Sequence, residues 1–214
     1  MAVLKANGSF LKANGKILVR PEGGGDFVVI GGRKYPFVRI GDRIWITENL
    51  DFIFDGLFIG DNYNDTNRNQ AWYYQNNESL YGWDAQRRGL LYSGYTMEYM
   101  MNHADSLFPP GWRIPSVTDY NDLIKRHSRN ELCFQGGPDY GSWSGTNTSG
   151  FNCKPSGTSY GYYNFSEINS LSLQWTSTKW DTGFYYGKYF TLSSIDQYNH
   201  FQYRTGSIRL VKDA

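Results

Sequence analysis

The side chains that most often bind metals or act as nucleophiles are few in this sequence and lie far apart. The three histidines are His103, His127 and His200, and the two cysteines are Cys133 and Cys153. No histidine has a second histidine four residues away or a cysteine beside it, and those are the spacings typical of zinc sites. The sequence therefore predicts no metal centre.

An oxygen-rich stretch at residues 61–70, DNYNDTNRNQ, contains a portion, DTNRN, that begins like a calcium-binding loop. A calcium loop of the EF-hand type also needs a glycine and a final glutamate at fixed offsets, and both are missing here. We therefore expect a solvated loop without a bound ion.

Patterns typical of catalysis are also missing. The sequence contains no Gly-x-Ser-x-Gly motif, no phosphate-binding loop and no dinucleotide fingerprint. We predict no catalytic residues, no cofactor and no enzymatic activity. Two cysteines do not make a disulfide framework, so Cys133 and Cys153 are interpreted as ordinary thiols, with a single bridge between them as the alternative.

Composition and net charge limit the kinds of partner that this chain is expected to bind. The 214 residues carry a formal charge of +1, which gives no electrostatic reason to expect nucleic acid. No apolar run approaches the ~18 residues of a membrane span, so we expect no membrane insertion. The start, MAVLKANGSF, lacks the apolar core of a secretory signal, which favours synthesis in a bacterial cytoplasm. The 18 tyrosines and 24 glycines favour a β-dominated chain rich in turns and binding loops.

The first 32 residues differ from the rest and are predicted to form an N-terminal arm. Residues 4–10 and 11–17 repeat the sequence LKANG at a period of seven. Asn-Gly is a strong turn signal, so the repeat predicts either two small β-turns or a β-hairpin rather than a coiled coil. Because so short a segment buries little by itself, we expect it to dock on a neighbour or to oligomerise the chain.

Residues 33–214 are predicted to form the main domain. Its helix at 116–127 begins at Ser116, a good N-cap, with Asp119 at the third helical position as in a capping box. The predicted elements are a strand pair in 35–50 around Gly41-Asp42, an irregular loop at 55–80, helices at 92–104 and 116–127, and strands at 172–177, 184–192, 199–204 and 206–212. The last strand is expected to be covered on both faces. This order is typical of a loop-rich α+β domain.

Five motifs in series resemble the Fibrobacter succinogenes major paralogous domain over about residues 37–213. They are RIWITENL (43–50), PPGWRIPS (109–116), GTNTSGFNCKPSG (145–157), QWTST (174–178) and GSIRLVKD (206–213). This family is widespread in surface proteins of Bacteroidetes-type bacteria and in their phages. The resemblance implies a C-type-lectin-like fold with two helices, a small mixed or antiparallel sheet and a face of ligand-contacting loops.

The motif residues are interpreted as scaffold. We expect Trp112 to fill core space beneath the helix, and Arg113 to satisfy carbonyls or a carboxylate near the final strand. The residues to which the resemblance assigns a structural role are Trp45, Asn49, Phe108, Trp112, Arg113, Ser116, Trp175, Arg209 and Leu210.

Phe108 and Leu210 occupy positions where many family members have cysteines. A disulfide contributes about 2–4 kcal/mol and needs an oxidising compartment, whereas two buried apolar side chains contribute roughly 1.5–3 kcal/mol each. The exchange suits a domain that folds in the cytoplasm and favours a phage virion component over an exported lipoprotein.

The ligand-binding face is expected among the aromatic and polar residues near the C-terminus, because rings with hydrogen-bonding tips suit sugars or a protein partner. In phage relatives of this kind the variable residues cluster in this region. The predicted ligand-binding residues are Trp180, Asp181, Tyr185, Tyr186, Tyr198, Asn199, His200, Gln202 and Tyr203.

Together these inferences predict a non-catalytic virion protein, of the head or tail-fibre type, that adheres to a glycan or protein on the host surface. We expect residues 1–32 to dock on capsid or tail proteins and the chain to form a homo-oligomer. Several copies on one particle would bind a host cell more tightly than a single copy, through avidity. The alternative is an adhesin or carbohydrate-binding protein on a bacterial cell surface.

Overall fold

The computed structural model of the chain describes residues 10–13, 16–19, 26–60, 69–78, 88–160 and 164–214. These ranges contain fifteen β-strands and four α-helices, with strand as the larger part. The helices are α1 (Gly94–Asn102), α2 (Ala104–Leu107), α3 (Val117–Arg126) and α4 (Arg129–Leu132). The strands are β1 (Phe10–Ala13), β2 (Lys16–Val19), β3 (Phe27–Ile30), β4 (Arg33–Ile40), β5 (Arg43–Ile46), β6 (Leu57–Ile59), β7 (Asn69–Trp72), β8 (Leu91–Ser93), β9 (Ser156–Ser159), β10 (Phe165–Ile168), β11 (Ser172–Asp181), β12 (Phe184–Phe190), β13 (Ile195–Phe201), β14 (Thr205–Gly206) and β15 (Val211–Asp213). The predicted α+β class is confirmed.

The N-terminal repeat forms an antiparallel strand pair. β1 and β2 pair from Phe10 with Val19 to Ala13 with Lys16, which leaves two residues between the strands. This is the hairpin alternative of the two that the repeat predicts, although residues 14–15 lie outside the described part of the chain. β3, which also belongs to the predicted arm, pairs with β4 and buries Ile30 in the core of the domain. The division at residue 32 itself stays a prediction.

A four-stranded antiparallel sheet in the order β15-β5-β4-β3 separates two core clusters. The predicted strand pair at 35–50 is confirmed as β4 and β5, whose turn uses Gly41 at φ +61°. Neighbouring residues of a strand point to opposite faces. Trp45 accordingly packs in one cluster with Tyr120 of α3, whereas Ile46 packs in the other cluster with Met97 of α1.

A larger sheet of nine strands carries the C-terminal part of the chain. Its order is β13-β12-β11-β9-β14-β8-β7-β6, and β10 pairs with β9 outside this path. The β11–β9 and β6–β7 pairs are parallel, and the other pairs are antiparallel. β13 is the last strand of the order, so it has a partner on one side only.

Helix α3 begins at the capping box that the sequence predicts. The Ser116 hydroxyl accepts from the Asp119 backbone N–H at 3.2 Å, and the Asp119 carboxylate accepts from the Ser116 backbone N–H at 2.8 Å. The same carboxylate accepts from Arg113 at 2.6 Å and from Arg43 at 2.8 Å. Burial alone would raise the pKa of the Asp119 carboxyl, but these hydrogen bonds outweigh burial and hold the pKa well below its usual range. Arg113 therefore meets a carboxylate, and its backbone pairs with Val211 of the final strand.

Trp112 and Trp175, two of the residues predicted to be structural, lie in the core. Trp112 is buried beside Phe37, with ring centroids 5.9 Å apart, and the buried Trp175 donates its indole N–H to the Tyr92 carbonyl at 2.9 Å. Phe108 and Leu210 are both buried in the same core cluster, the one that contains Met97. Apolar side chains are thus buried at both positions where the resemblance implies cysteines.

The centre of the domain is a buried amide that joins three of the five sequence motifs, 43–50, 174–178 and 206–213. Asn49 donates through Nδ2 to the Arg88 carbonyl at 2.9 Å and to the Ser207 hydroxyl at 3.2 Å. Its Oδ1 accepts from Gln174 Nε2 and from Arg209 Nε, both at 3.0 Å. Both donors and both acceptor positions of the amide are therefore used.

The buried guanidinium of Arg209 completes this network. Its Nη1 donates to the Phe151 carbonyl and its Nη2 donates to the Asn152 carbonyl at 2.8 Å, and the cation lies 4.3 Å from the Phe151 ring centroid. Its acceptors among the described residues are an amide oxygen and two backbone carbonyl oxygens, all uncharged. Hydrogen bonds from separate chain segments, rather than a carboxylate, therefore stabilise this buried charge.

Several predicted elements differ from the structure. The described residues contain four helices rather than two, because α2 and α4 have one turn each and leave little periodicity in the sequence. The sheet is also larger than expected. The predicted loop at 55–80 includes β6 and β7, where the buried Ala71 and Trp72 stand among polar residues that mask the strand signal. Of the predicted calcium-like loop, residues 61–68 lie outside the described residues.

The last two predicted strands are displaced. The strand expected at 199–204 lies at 195–201 as β13, and residues 202–204 turn away from it. The strand expected at 206–212 is divided between β14 and β15, because residues 207–210 hydrogen-bond to three separate segments rather than to one neighbour. Ile208, Arg209, Leu210 and Val211 are nevertheless all buried, as the expectation of cover on both faces requires.

We predict that Asn49→Ala lowers the free energy of unfolding by about 2–4 kcal/mol, because it leaves the buried Nε of Arg209 without its acceptor and removes one of the two acceptors of the Gln174 amide. Urea denaturation measures the change. Asn102→Ala, at an exposed position at the end of α1, is the control and should stay within about 0.5 kcal/mol of the parent. Equal stabilities for the two variants would contradict the central role of the Asn49 amide.

Candidate functional site

Four aromatic rings form a connected row at one end of strands β11, β12 and β13, and we call Trp180, Phe184, Phe201 and Tyr203 the aromatic strip. Ring centroids are 5.4 Å apart for Trp180 and Phe184, 3.7 Å for Phe184 and Phe201, and 5.1 Å for Phe201 and Tyr203. The planes of the Phe201 and Tyr203 rings are within 11° of parallel, and the two rings are stacked. Trp180, Phe201 and Tyr203 are exposed by 50%, 46% and 44%, so the strip faces solvent.

Strand register determines which polar side chains border the strip. Phe184 pairs with Phe201, and two residues further along Tyr186 pairs with Asn199, so these four side chains share one face of the sheet. Asp181 pairs with Phe184 at the end of β11 and is exposed. Amide and carboxylate groups therefore lie beside the rings.

Beneath the strip, the opposite side of the strands is fixed to helix α1 by Glu98. The Glu98 carboxylate accepts from the Tyr185 hydroxyl at 2.6 Å and from the Gln202 amide, and Lys179 lies 3.5 Å away. Burial tends to raise the pKa of Glu98, and the hydrogen bonds from Tyr185 and Gln202 lower it further than burial raises it. Burial and the Glu98 carboxylate raise the pKa of Tyr185, which keeps this phenol a proton donor.

The middle of β12 is fixed to helix α3 in a similar way. Lys188 is buried and donates to Asn121 Oδ1 at 2.8 Å, and burial lowers the pKa of its ammonium group. With Glu98 on one side and Asn121 on the other, side chains from both longer helices hold β12. The strip therefore stands on a supported sheet rather than on a free loop.

A second aromatic group lies on the other face of β12 and β13. His200 packs with Tyr189 at 5.1 Å between ring centroids, and Tyr189 packs with Tyr198 at 5.2 Å. The buried Arg204 lies 3.4 Å from the centre of the Tyr160 ring. Burial, and then the charge of Arg204, lower the pKa of His200 from 6.5 to about 4, so this histidine is neutral near pH 7.

The nine predicted ligand-binding residues therefore divide into three sets. Trp180 and Tyr203 belong to the strip, and Asp181, Tyr186 and Asn199 border it. Tyr198 and His200 lie on the opposite face of the sheet.

Tyr185 and Gln202 form the third set, and here the structure corrects the prediction. Both are buried and hydrogen-bonded to Glu98, so they support the surface and are not part of it. Strand alternation turns them inward, and a sequence read without its register cannot assign the faces.

The sequence prediction does not include two rings of the strip, Phe184 and Phe201, or their support, Glu98. Phe184 and Phe201 were passed over among many aromatic residues, although their positions at i, i+2 spacing from Tyr186 and Tyr203 were a usable signal. Glu98 gave no signal, because its partners are 81–104 residues away along the chain.

A concave surface between β5 and α3 is a different kind of feature. It is lined by Arg43, Trp45, Asp119 and Arg126, among others, and Arg43 is paired with Asp119 inside it. The ion pair between Arg43 and Asp119 thus holds α3 against β5. We interpret this surface as part of the scaffold.

Neither a metal cluster nor a membrane-spanning helix is found in the part of the chain that the structure describes. No three histidine, cysteine, aspartate or glutamate side chains come together there as a set of metal ligands. None of the helices there is long and apolar enough to cross a bilayer.

The site and the fold define a class of protein: a mixed α+β domain, mostly β, that presents aromatic rings on a supported sheet. Residues 38–212 match the Fibrobacter succinogenes major domain, which covers most of the chain. The chain belongs to this family. Neither the curated proteins nor the solved structures include one that matches the chain.

We predict that His200 makes stability depend on pH between about 4 and 6.5. Because the pKa of His200 is lower in the folded protein, the unfolded chain takes up the proton first as the pH falls. The contribution of neutral His200 is complete above pH 6.5 and is lost progressively towards pH 4. Urea denaturation at pH 7 and pH 5 should show a smaller drop for His200→Asn than for the parent. An imidazole that titrates near 6.5 by NMR would contradict this assignment.

Proposed function

We propose that this protein is a non-catalytic binding protein that attaches to a carbohydrate on the surface of a host bacterium through the aromatic strip. The observation that carries the proposal is the connected row of four rings, three of them exposed, on a sheet fixed from below. Single exposed apolar side chains are common in proteins, whereas a connected row of large rings is typical of an interaction surface.

The chemistry of the strip favours a sugar over a protein partner. The half-exposed rings of Trp180, Phe201 and Tyr203 offer apolar faces and edges, and the nearby Asn199 and Asp181 supply hydrogen-bonding groups. Aromatic surfaces with a few placed polar groups are typical of sites for small polar ligands. A protein partner is the other outcome that the experiment below separates.

The proposed setting is a phage virion, of the head or tail-fibre type, in which residues 1–32 dock the domain on capsid or tail proteins. The resemblance of the motifs to a family found in phages supports this setting. The burial of Phe108 and Leu210 where many relatives have cysteines also supports folding in a reducing cytoplasm. Several copies on one particle would raise the overall affinity of a weak single site.

The finer fold class is part of the same proposal. We infer a C-type-lectin-like fold, as the resemblance implies, with α1 and α3 as its two helices. The pairing of the last strand, β15, with β5 near the start of the family match supports it, because such folds bring distant segments together around one core.

We predict that Trp180→Ala and Tyr203→Ala each weaken binding to host cells by about tenfold to a hundredfold, because each removes an exposed ring of the strip. Tyr198→Ala is the matched control, since Tyr198 is 55% exposed on the same strand pair but faces the other way. Binding is measured to intact cells of a Bacteroidetes host, with thermal unfolding of each variant to verify folding.

Treatment of the cells identifies the ligand class. Periodate, which oxidises sugars, should abolish binding, and protease treatment should leave it unchanged. The reverse pattern would replace the carbohydrate with a protein partner. An equal loss for Tyr198→Ala and Trp180→Ala would contradict the assignment of the strip.

We also predict that the protein copurifies with phage particles, and mass spectrometry of gradient-purified virions measures this. Deletion of residues 1–25, which leaves β3 and the buried Ile30 in place, should remove the domain from particles while leaving its binding to host cells intact. Recovery in the envelope of uninfected bacteria would support the alternative, a cell-surface adhesin.

A further inference from the structure

Cys133 and Cys153 are brought side by side by the fold, although 19 residues separate them in the sequence. They are direct partners in an isolated parallel β-bridge. The bridge is bounded by two backbone hydrogen bonds, from Cys153 N–H to the Leu132 carbonyl and from Phe134 N–H to the Cys153 carbonyl, both at 2.9 Å. Both thiols are free and both residues are fully buried.

This geometry is compatible with a disulfide. Neighbouring strands lie about 4.7–4.9 Å apart, which falls within the Cα separation of roughly 4.4–6.8 Å that disulfides span. Directly paired residues in adjacent strands project their side chains to the same face of the sheet. The two side chains therefore start as neighbours, and little movement is needed to join the sulfurs.

The surroundings favour ionisation of one thiol of the pair. Burial raises the pKa of Cys153, but hydrogen bonds from Cys133 and Ser172, together with the charges of Arg209 and Arg129, lower it below its usual value. The hydrogen bond to Cys153 and burial raise the pKa of Cys133. These shifts belong to the folded protein, whereas attack on a small disulfide needs an accessible thiolate, so the pairing of the two cysteines rather than their ionisation carries the proposal.

We propose that Cys133 and Cys153 are a disulfide-forming pair, which closes when the chain folds in the presence of a small-molecule disulfide such as oxidised glutathione. While the cysteines are still accessible, the thiolate of one cysteine attacks a sulfur of the small disulfide and releases one thiol. The thiolate of the other cysteine then attacks the cysteine sulfur of the mixed disulfide and releases the second thiol. The two cysteines lose two protons and two electrons, and the small disulfide gains them.

The bridge would close the loop that supplies the acceptors of Arg209. Phe151 and Asn152, whose carbonyls accept from that guanidinium, come immediately before Cys153. A covalent link at Cys153 would hold both carbonyls beside the buried cation. It would also reduce the conformational entropy of the unfolded chain, which is the main way in which a disulfide stabilises a fold. In a reducing cytoplasm the pair stays as two thiols, and the bridge forms where a disulfide oxidant is supplied. The proposal does not depend on the ligand of the aromatic strip.

The test is to refold the full chain from denaturant in two buffers, one with oxidised and reduced glutathione and one with dithiothreitol. Each sample is then denatured and treated with iodoacetamide, and its intact mass is measured. We expect two adducts on the reduced chain, and none on the oxidised chain, whose mass should be lower by two hydrogens. We also expect the oxidised protein to melt about 5–10 °C higher.

The variants Cys133→Ser and Cys153→Ser are the controls. Each should melt at the same temperature in both buffers, because a single thiol cannot close the bridge. Two adducts on the parent after oxidative refolding would overturn the proposal. A bridged parent that melts lower than the reduced parent would do so as well, because it would show that the folded structure does not accommodate the bond.

Discussion

The domain depends on one buried interaction, the hydrogen bond from the guanidinium of Arg209 to the amide of Asn49. A buried cation is costly unless its donors are satisfied, and here the satisfying groups come from segments up to 160 residues apart. Asn49 in turn uses every position of its amide, so the segments around residues 49, 88, 174, 207 and 209 have one mutual arrangement. The motifs that look separate in the sequence are the parts of this network.

Side-chain contacts between distant segments also support the surface that carries the aromatic strip. Glu98 reaches from α1 to two residues of the β11–β13 region, and Asn121 reaches from α3 to Lys188. These contacts convert a strand at the end of a sheet into a supported platform, so the exposed rings of the aromatic strip keep their relative positions without a ligand. Preorganised rings lose little conformational freedom on binding, which is the physical advantage of placing the site on strands rather than on a loop.

Local signals predicted the elements whose stabilising contacts are local. The capping box of Ser116 and Asp119 lies within four residues, and the β4–β5 turn depends on Gly41, so both were predictable. The strand at 206–212 was not, because its residues bond to three different segments and form no continuous ladder. The face of each C-terminal aromatic residue was also unpredictable, because a shift of one residue in register exchanges the two faces. That is why Tyr185 and Gln202 were predicted as ligand-binding residues although both are buried.

The sequence by itself determined the family, the α+β class, the capped helix and the region of the chain that carries the exposed aromatic residues. These follow from motif order, periodicity and composition, which a linear sequence contains. Only the tertiary structure decided which rings meet in the strip, that Glu98 supports them, and that Cys133 lies beside Cys153. Each of these depends on contacts between segments far apart in the chain, and the packing of the whole domain selects those contacts.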